Sequence, residues 1–292
     1  MRILITGAAG RLGSALAPRL VEDGHDLVLS DLHAPADYAP SSALGFVAAD
    51  VRAGGLEDAA AGCDLIVHLP AWHGIHERSR SEADYWRLNV DGTFWMFQAA
   101  VARNVKRVVF LSSLAWHSAY GKYGFTKRVG EELCEYYRQN HRISYLAIRP
   151  ADFTPTSTFL EHGTRLLYGG VDRDDVVAAA VASIDHLARP SNDEPSGTIV
   201  NAVRRNAFEA GQVDDWEVDP LAACGRIFGG AAQELVERYG LDIGRRPTVV
   251  DPGLGGPSIG YTPTRDFASF IDTLWLLDQS LGLPTVRTLP GP

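Results

Sequence analysis

A chain of 292 residues, 46% of them hydrophobic and 22% charged, has the make-up of a globular protein with ample material for a large core. Its formal charge of −9, with no block of lysines or arginines, argues against a general nucleic-acid binder. Apolar runs such as Val176 to Ile184 are too short to cross a bilayer, and a strand beginning at Arg2 leaves no room for a signal peptide, so neither is expected. Cys63, Cys134 and Cys224 are scattered without paired spacing, as reduced thiols of a cytoplasmic protein would be.

Arg2 to Thr6 reads as a short apolar strand that runs into Gly7-Ala-Ala-Gly10-Arg-Leu-Gly13 and then a helix from Ser14 to Asp23. Strand, glycine turn and helix in that order form a dinucleotide fingerprint. Gly7 permits the turn, Gly10 lets a pyrophosphate approach the backbone, and Gly13 lets helix pack on strand. The helix N-terminus adds N–H groups and a positive dipole for the phosphates. A second strand, Asp26 to Ser30, ends at Asp31. An acid there can hydrogen-bond the adenosine ribose and would repel a 2′-phosphate, which favours NAD. The plain alternative is a solvated loop acid, and Arg11 in the turn could instead meet a 2′-phosphate.

Phe46 to Val51 reads as a third strand, placing Asp50 to accept from the adenine amino group. Asp64 to Leu69 is a fourth, almost wholly apolar, as a parallel sheet covered on both faces requires. It delivers Pro70, Ala71, Trp72 and His73 to the carboxyl edge, where ligands bind in such sheets. His73 and His76 have no third ligand near in sequence, so a pocket-wall or surface role is read for them, with His73 the expected substrate contact, and no metal is expected. A helix from Asn89 to Ala100 is apolar nearly all round, so one face should meet the sheet and another something else. A strand from Arg107 to Leu111 then carries Ser112 and Ser113 to the same edge.

Tyr123 and Lys127 stand four residues apart within a predicted helix, Tyr123 to Tyr137, which stacks them on one face. A phenol with an ordinary pKa of about 10 is a poor base at neutral pH. A neighbouring ammonium favours the phenolate, and such a tyrosine can exchange a proton with an alcohol or carbonyl as hydride moves. By itself this pair is also a common surface motif. Its weight comes from the glycine turn upstream and from Ser113, a substrate hydrogen-bond donor ten residues earlier.

The chain resembles the extended short-chain dehydrogenase/reductase family, the NAD-dependent epimerases and dehydratases. The matching pieces are Thr6 to Gly13, Asp31, Asp50-Val51, His68-Leu69 with Ala71, Asn89 to Thr93, Ser112-Ser113, Tyr123 with Lys127, and Arg149-Pro150, all in family order. The resemblance implies an α/β protein: a Rossmann doubly wound parallel sheet with a smaller carboxy-terminal substrate lobe. It implies NAD as cofactor, Ser113, Tyr123 and Lys127 as the catalytic group, and a homodimer formed through two helices per subunit. Cofactor contacts are expected from Gly7, Ala9, Gly10, Arg11, Leu12, Gly13, Asp31, Leu32, Asp50, Val51, Leu69, Pro70, Ala71, Asn89, Leu111, Tyr123, Lys127, Arg149 and Pro150. Substrate contacts are expected from His73, Ser112, Ser113, His117 and Arg165. The chain departs from the family pattern at Pro70, where a small residue is usual. The gap from Ser113 to Tyr123 is also short, which leaves Ser112 and Ser118 as alternatives to Ser113.

A strand from Ile143 to Ile148 ends at Arg149-Pro150, and a short loop segment leads to a helix from Val176 to Ala188. Family members that bind nucleotide sugars are longer here and carry an arginine–aspartate pair where this chain has Tyr168-Gly169. The compact layout is similar to uronate dehydrogenases, which oxidise free hexuronic acids and hold the substrate carboxylate with an arginine nine residues before paired aspartates. Arg165 occupies that position; its plain alternative is an ion pair with Glu161. Asp172, Asp174 and Asp175 read as a helix cap with charges favoured by the dipole. Thr198 to Val203 is a strand returning to the sheet, and helices are predicted over Ala231 to Tyr239 and Asp266 to Leu277. Residues 1–150, with 171–203 returning, form the expected cofactor domain, and 151–170 with 204–292 the expected lobe. The implied activity is dehydrogenation of a small sugar-like substrate such as a uronate or aldose. The alternatives are an epimerase or dehydratase that keeps its NAD, and a non-catalytic NAD-bound regulator.

Overall fold

The computed structural model describes residues 1–115, 121–189, 194–251 and 255–291. The chain divides into two units. The first is Met1–Pro150, Val177–Asn201 and Leu254–Tyr261; the second is Ala151–Val176, Ala202–Gly253 and Thr262–Pro292.

The first unit is built on seven strands: β1 (Arg2–Thr6), β2 (Asp26–Asp31), β3 (Leu44–Ala48), β4 (Leu65–His68), β5 (Arg107–Leu111), β6 (Ser144–Pro150) and β7 (Gly197–Ala202). Their order is β3-β2-β1-β4-β5-β6-β7, and every pairing from β3 across to β6 is parallel. Strand order therefore reverses between β1 and β4, the topological switch point where such sheets bind ligands. The central strands are apolar on both sides because helices cover both faces; Ile3, Leu4, Ile5, Leu65, Ile66 and Val67 are all fully buried.

One face of the sheet is packed by helices Gly92–Ala102 and Lys122–His141, whose Met96, Phe97, Cys134 and Tyr137 join a core with Leu4, Ile66, Val108 and Phe110. Phe97 and Tyr137 stack with ring centroids 4.4 Å apart, locking the two helices together. Gly130 is where the longer helix crosses β5, and any Cβ there would collide with the Phe110 ring.

Three boundaries depart from the sequence reading, each for a local reason. β3 covers Leu44–Ala48 and stops short of Val51, because Asp50 caps a short 3₁₀ turn by accepting from the Arg52 N–H at 3.0 Å. The helix expected from Asn89 is the last part of a longer run: an α-turn Glu82–Tyr85, a π-helical stretch Trp86–Asp91, and only then Gly92–Ala102. The segment after Pro150, expected to be loop, contains helix Phe159–Leu167, with Thr158 and Glu161 forming a capping box.

The second unit has its own core, in which Trp216, Phe267, Phe270 and Leu274 pack with Leu166 and Leu167. Its other helices are Pro220–Phe228, Gly230–Tyr239 and Phe267–Leu281. Helix Arg173–Ala188 begins in this unit, with Asp174 and Asp175 in its first turn and the Asp172 side chain accepting from the Asp174 N–H at 2.8 Å.

Candidate active site

The glycine turn is shaped by contacts that no side chain could share. Gly7 has φ +71°, which favours glycine, and a Cβ there would lie 2.9 Å from the Pro70 nitrogen. The ring of Pro70 thus backs directly on the turn. A Cβ on Gly13 would lie 2.7 Å from the Ala8 Cα, so helix Arg11–Glu22 rests against the end of β1 at a distance only glycine allows. Gly10 is the N-cap of that helix and brings no side chain to satisfy its first N–H groups. Such a helix start is the cradle a pyrophosphate fits.

Asp31 ends β2 beside this cradle. One of its carboxylate oxygens accepts from the Ala9 N–H at 3.0 Å and the other from the Leu32 N–H at 2.7 Å. Leu32 itself is half exposed, and Arg11 is partly buried in the first turn of the helix. Asp50 stands at the next strand end, but its carboxylate is held by Arg52 at 2.6 Å, which keeps its pKa below the ordinary value. Val51 is buried in the core, and the Leu69 N–H donates to the Thr6 carbonyl at 3.2 Å. These contacts give Asp50, Val51 and Leu69 structural work at the sheet edge.

At β5 the chain turns through Ser112 and Ser113 toward the helix that carries Tyr123 and Lys127. Lys127 is 2% exposed, and its ammonium nitrogen donates to the Leu111 carbonyl at 2.6 Å, tying helix to strand end. Burial lowers its pKa to about 7. Tyr123, 6% exposed, lies in the first turn of the same helix, with the His73 ring 4.7 Å away. Because Gly121 provides no capping side chain, Glu77 serves instead and accepts from the Tyr123 N–H at 3.2 Å. Lys122 donates to the Glu77 and Arg80 carbonyls at 2.7 Å each, so the His73–Arg80 loop is stapled to the helix start. Ser113 is 5% exposed and its hydroxyl oxygen accepts from the Ala115 N–H at 3.0 Å.

Ser112 takes a different place. Its hydroxyl donates to Glu131, which also receives Arg149 through two hydrogen bonds, Nε at 2.8 Å and Nη2 at 2.5 Å. All three residues are buried. Ser112 and Arg149, read from the sequence as substrate and cofactor contacts, are thus bound into an internal ion pair. The Pro150 carbonyl accepts from the Leu114 N–H at 3.1 Å and holds the turn after Ser113. Asn89, also buried, sits in the π-helical stretch. It exchanges hydrogen bonds with the Trp72 backbone and donates to Thr126 Oγ1 at 2.9 Å, joining the loop after β4 to helix Lys122–His141. His68 lies between Thr6 Oγ1 at 2.8 Å and Thr93 Oγ1 at 3.3 Å, and burial, helped by Lys127, lowers its pKa to about 3. It is a neutral internal strut. His117 and Ser118 lie outside the described residues.

Glu131, Thr126 and the π-helical turn are the site elements that sequence reading missed. The first two carry no motif of their own. The spacing Ser81 to Asp84, which closes a capping box ahead of Asn89, was the available clue to the earlier helix start. Among the described residues, no three His, Cys, Asp or Glu side chains gather as a metal ion would require.

In the second unit, Arg165 lies on helix Phe159–Leu167. It donates through one terminal nitrogen to the Thr154 carbonyl and through the other to His162 Nδ1 at 2.9 Å. Glu161, its alternative partner, accepts instead from the backbone N–H groups of Ser157 and Thr158 at 2.8 and 3.3 Å. Arg165 also lines an open groove of about 570 Å³ together with Thr164, Tyr168, Asp242 and Arg245.

An uncapped glycine cradle at a switch point, with Tyr123 and Lys127 buried on one helix whose lysine reaches the end of β5, is the arrangement of a dinucleotide-binding α/β unit. The model of the NAD dependent epimerase/dehydratase family matches residues 3–167, and the chain belongs to that family, whose cofactor is NAD. An uncharacterized protein of Mycobacterium tuberculosis is 41% identical over 114 residues, 39% of this chain but only 12% of that protein. L-arabinose 1-dehydrogenase (NAD(P)(+)) of Haloferax volcanii is 28% identical over 183 residues, 51% of this chain and 65% of that enzyme. Uronate dehydrogenase of Pseudomonas putida is 29% identical over 193 residues, covering 60% and 68% of the two chains. Among solved structures, uronate dehydrogenase from Agrobacterium tumefaciens superposes with a TM-score of 0.55 at 26% identity, over 70% of this chain and 77% of that one. MoeE5 in complex with UDP-glucose and NAD shares the fold, with a TM-score of 0.67 at 22% identity over 96% of this chain and all of its own.

The buried amine of Lys127 makes a stability prediction for the cofactor-free protein. Its pKa falls from 10.5 unfolded to about 7 folded, so between those values the unfolded chain binds a proton that the folded chain does not. Stability therefore rises with pH across that window. In Lys127→Met the titrating group is gone, and its thermal midpoint should climb less over the same window than that of the unaltered protein. Parallel pH profiles for the two proteins would contradict the assignment.

Proposed function

We propose that the protein is an NAD-dependent dehydrogenase of a small sugar-like substrate, most like the uronate or aldose dehydrogenases. The observation that carries this reading is the burial of Tyr123 and Lys127 together on one helix, with Ser113 at the adjoining strand end. NAD, when bound, supplies the hydride acceptor. Tyr123 takes the proton of the substrate hydroxyl, and the Lys127 ammonium favours its phenolate form. Ser113, whose oxygen already accepts from Ala115, directs its own O–H to the substrate oxygen. The Gly10 helix start holds the pyrophosphate, and Asp31, at the end of β2, favours a ribose with free hydroxyls over a 2′-phosphate.

Arg165 supports an acidic substrate, since a guanidinium can hold a carboxylate through two parallel hydrogen bonds. The short segment between Pro150 and Arg173 supports a free sugar acid over a nucleotide sugar. Three buried cysteines, all unpaired, support a reducing, cytoplasmic setting. A homodimer is supported by aromatic rings left on the surfaces of the two helices that cover the sheet: Phe94 and Trp95 are each 38% exposed, Phe125 43% and Tyr136 53%. Light scattering at micromolar concentration should give the mass of two chains; a monomer would remove the dimer from this reading.

Incubation with NAD and D-glucuronate should yield net NADH, which separates a dehydrogenase from an epimerase that returns its hydride. Tyr123→Phe should still bind NAD while turnover falls roughly 100-fold or more, the scale of general acid–base catalysis. Activity near that of the unaltered enzyme would remove Tyr123 from the mechanism.

Arg165→Ala should lower kcat/KM for D-glucuronate roughly tenfold to a hundredfold, the range for one charged hydrogen-bond partner, with far less effect on D-galactose. Equal losses on the acidic and the neutral sugar would replace the uronate reading with a neutral aldose.

A further inference from the structure

We propose that His162 and Asp172 form a positioning pair that fixes the hydrogen-bonding direction of Arg165 and thereby sets the preference for acidic substrates. This rests on the reading of Arg165 as the carboxylate clamp. His162 and Arg165 share one side of helix Phe159–Leu167, three residues apart. Asp172 reaches the far side of the imidazole, with its Oδ2 2.9 Å from His162 Nε2. Both side chains are shielded, at 4% and 13% exposure.

The proton positions follow from the chemistry of the three groups. A guanidinium can only donate, so the 2.9 Å contact between Arg165 Nη2 and His162 Nδ1 requires a lone pair on Nδ1. The remaining imidazole proton then sits on Nε2, where it donates to the Asp172 carboxylate. A protonated imidazole would set two donors against each other at Nδ1. Burial alone would raise the Asp172 pKa, but its hydrogen bonds to His162 and to the Asp174 N–H outweigh burial and leave it lowered. Asp172 is therefore an anion at neutral pH, able to select the Nε2–H tautomer.

The rest of the cradle holds the guanidinium from its other side. Asp152 accepts from the Thr154 N–H at 2.9 Å and from its hydroxyl at 2.6 Å, which fixes the turn whose carbonyl takes Arg165. Gly170 clears the path of the side chain, since a Cβ there would come within 3.0 Å of Arg165 Cδ. A flexible side chain is in this way confined to one orientation before any substrate arrives. Pre-organisation of this kind improves binding by reducing the rotamer freedom lost on association.

The test is steady-state kinetics with NAD on D-glucuronate and D-galactose, combined with NMR of protein carrying 15N-histidine, the His162 signals being assigned by their loss in His162→Asn. Asp172→Asn is the informative variant, because asparagine can still cap helix Arg173–Ala188 while the charge on Nε2–H is lost. The ratio of kcat/KM for glucuronate over galactose should fall roughly three- to tenfold in Asp172→Asn and in His162→Leu, the range of one net hydrogen bond, mainly through KM for the acid. His162→Asn, which can offer an oxygen near the place of Nδ1, should recover part of that loss. The unaltered protein should show His162 protonated on Nε2 and bare on Nδ1. Should His162→Leu fail to fold, Asp172→Asn and the NMR tautomer decide. An unchanged ratio in Asp172→Asn, where Arg165→Ala abolishes the preference, overturns the positioning role and leaves the clamp standing. A proton found on Nδ1 overturns it whatever the substrate. An unaltered enzyme indifferent to substrate charge removes the clamp and, with it, this role.

Discussion

The helix that carries Tyr123 and Lys127 is tied to the sheet by a buried carboxylate. Glu131, one turn beyond Lys127, receives the Ser112 hydroxyl from the end of β5 and the Arg149 guanidinium from the end of β6. Ser112 directly follows β5 and Arg149 is the next-to-last residue of the adjacent β6, so a single side chain on the helix sets its height and rotation against both strand ends. A buried ion pair is weak evidence of net stability, since desolvation offsets most of its attraction. What it supplies here is placement. Removing Glu131 would take from a buried guanidinium the carboxylate that accepts two of its hydrogen bonds, and from Ser112 its acceptor. Lys127 adds a second tie through the Leu111 carbonyl, one strand residue before Ser112.

Around that anchor burial lowers the pKa of two basic groups. His68 is held between two threonine hydroxyls with its pKa near 3, and Lys127 near 7. Glu131, the carboxylate that acts on Lys127, is already bound to Arg149. A group poised at neutral pH responds to any anion brought beside it, and both a phenolate and a pyrophosphate are anions. The Lys127 amine is thus set to take its charge when a partner that needs it is present.

Much of this was legible in the sequence, for one reason: the cofactor half is specified by backbone constraints. Gly7 and Gly13 are required by contacts closer than a Cβ permits, and the four-residue spacing of Tyr123 and Lys127 places them on one face by helical geometry alone. Asp31 was readable because β2 ends there. What could not be read depends on partners far along the chain. Ser112 and Arg149 lie at strand ends, where family pattern points to ligand contact, yet Glu131, which claims both, carries no signature. The π-helical turn around Asn89 is equally silent, since it arises where Asn89 must bridge Trp72 and Thr126 at once. Helix Phe159–Leu167 was passed over although Thr158 and Glu161 announce it, because its weak flanks read as loop.

The second unit shows how little separates a structural arginine from a functional one. By position alone Arg165 belonged either to a substrate or to Glu161. The capping box settles the second possibility, since Glu161 is needed by the backbone of Ser157 and Thr158 at the helix start. The guanidinium donates to a carbonyl and to an imidazole, and Asp172 stands on the far side of that ring. Neutral acceptors orient a cation without cancelling it. An imidazole backed by a carboxylate fixes the direction of the guanidinium while keeping that carboxylate's negative charge one ring away.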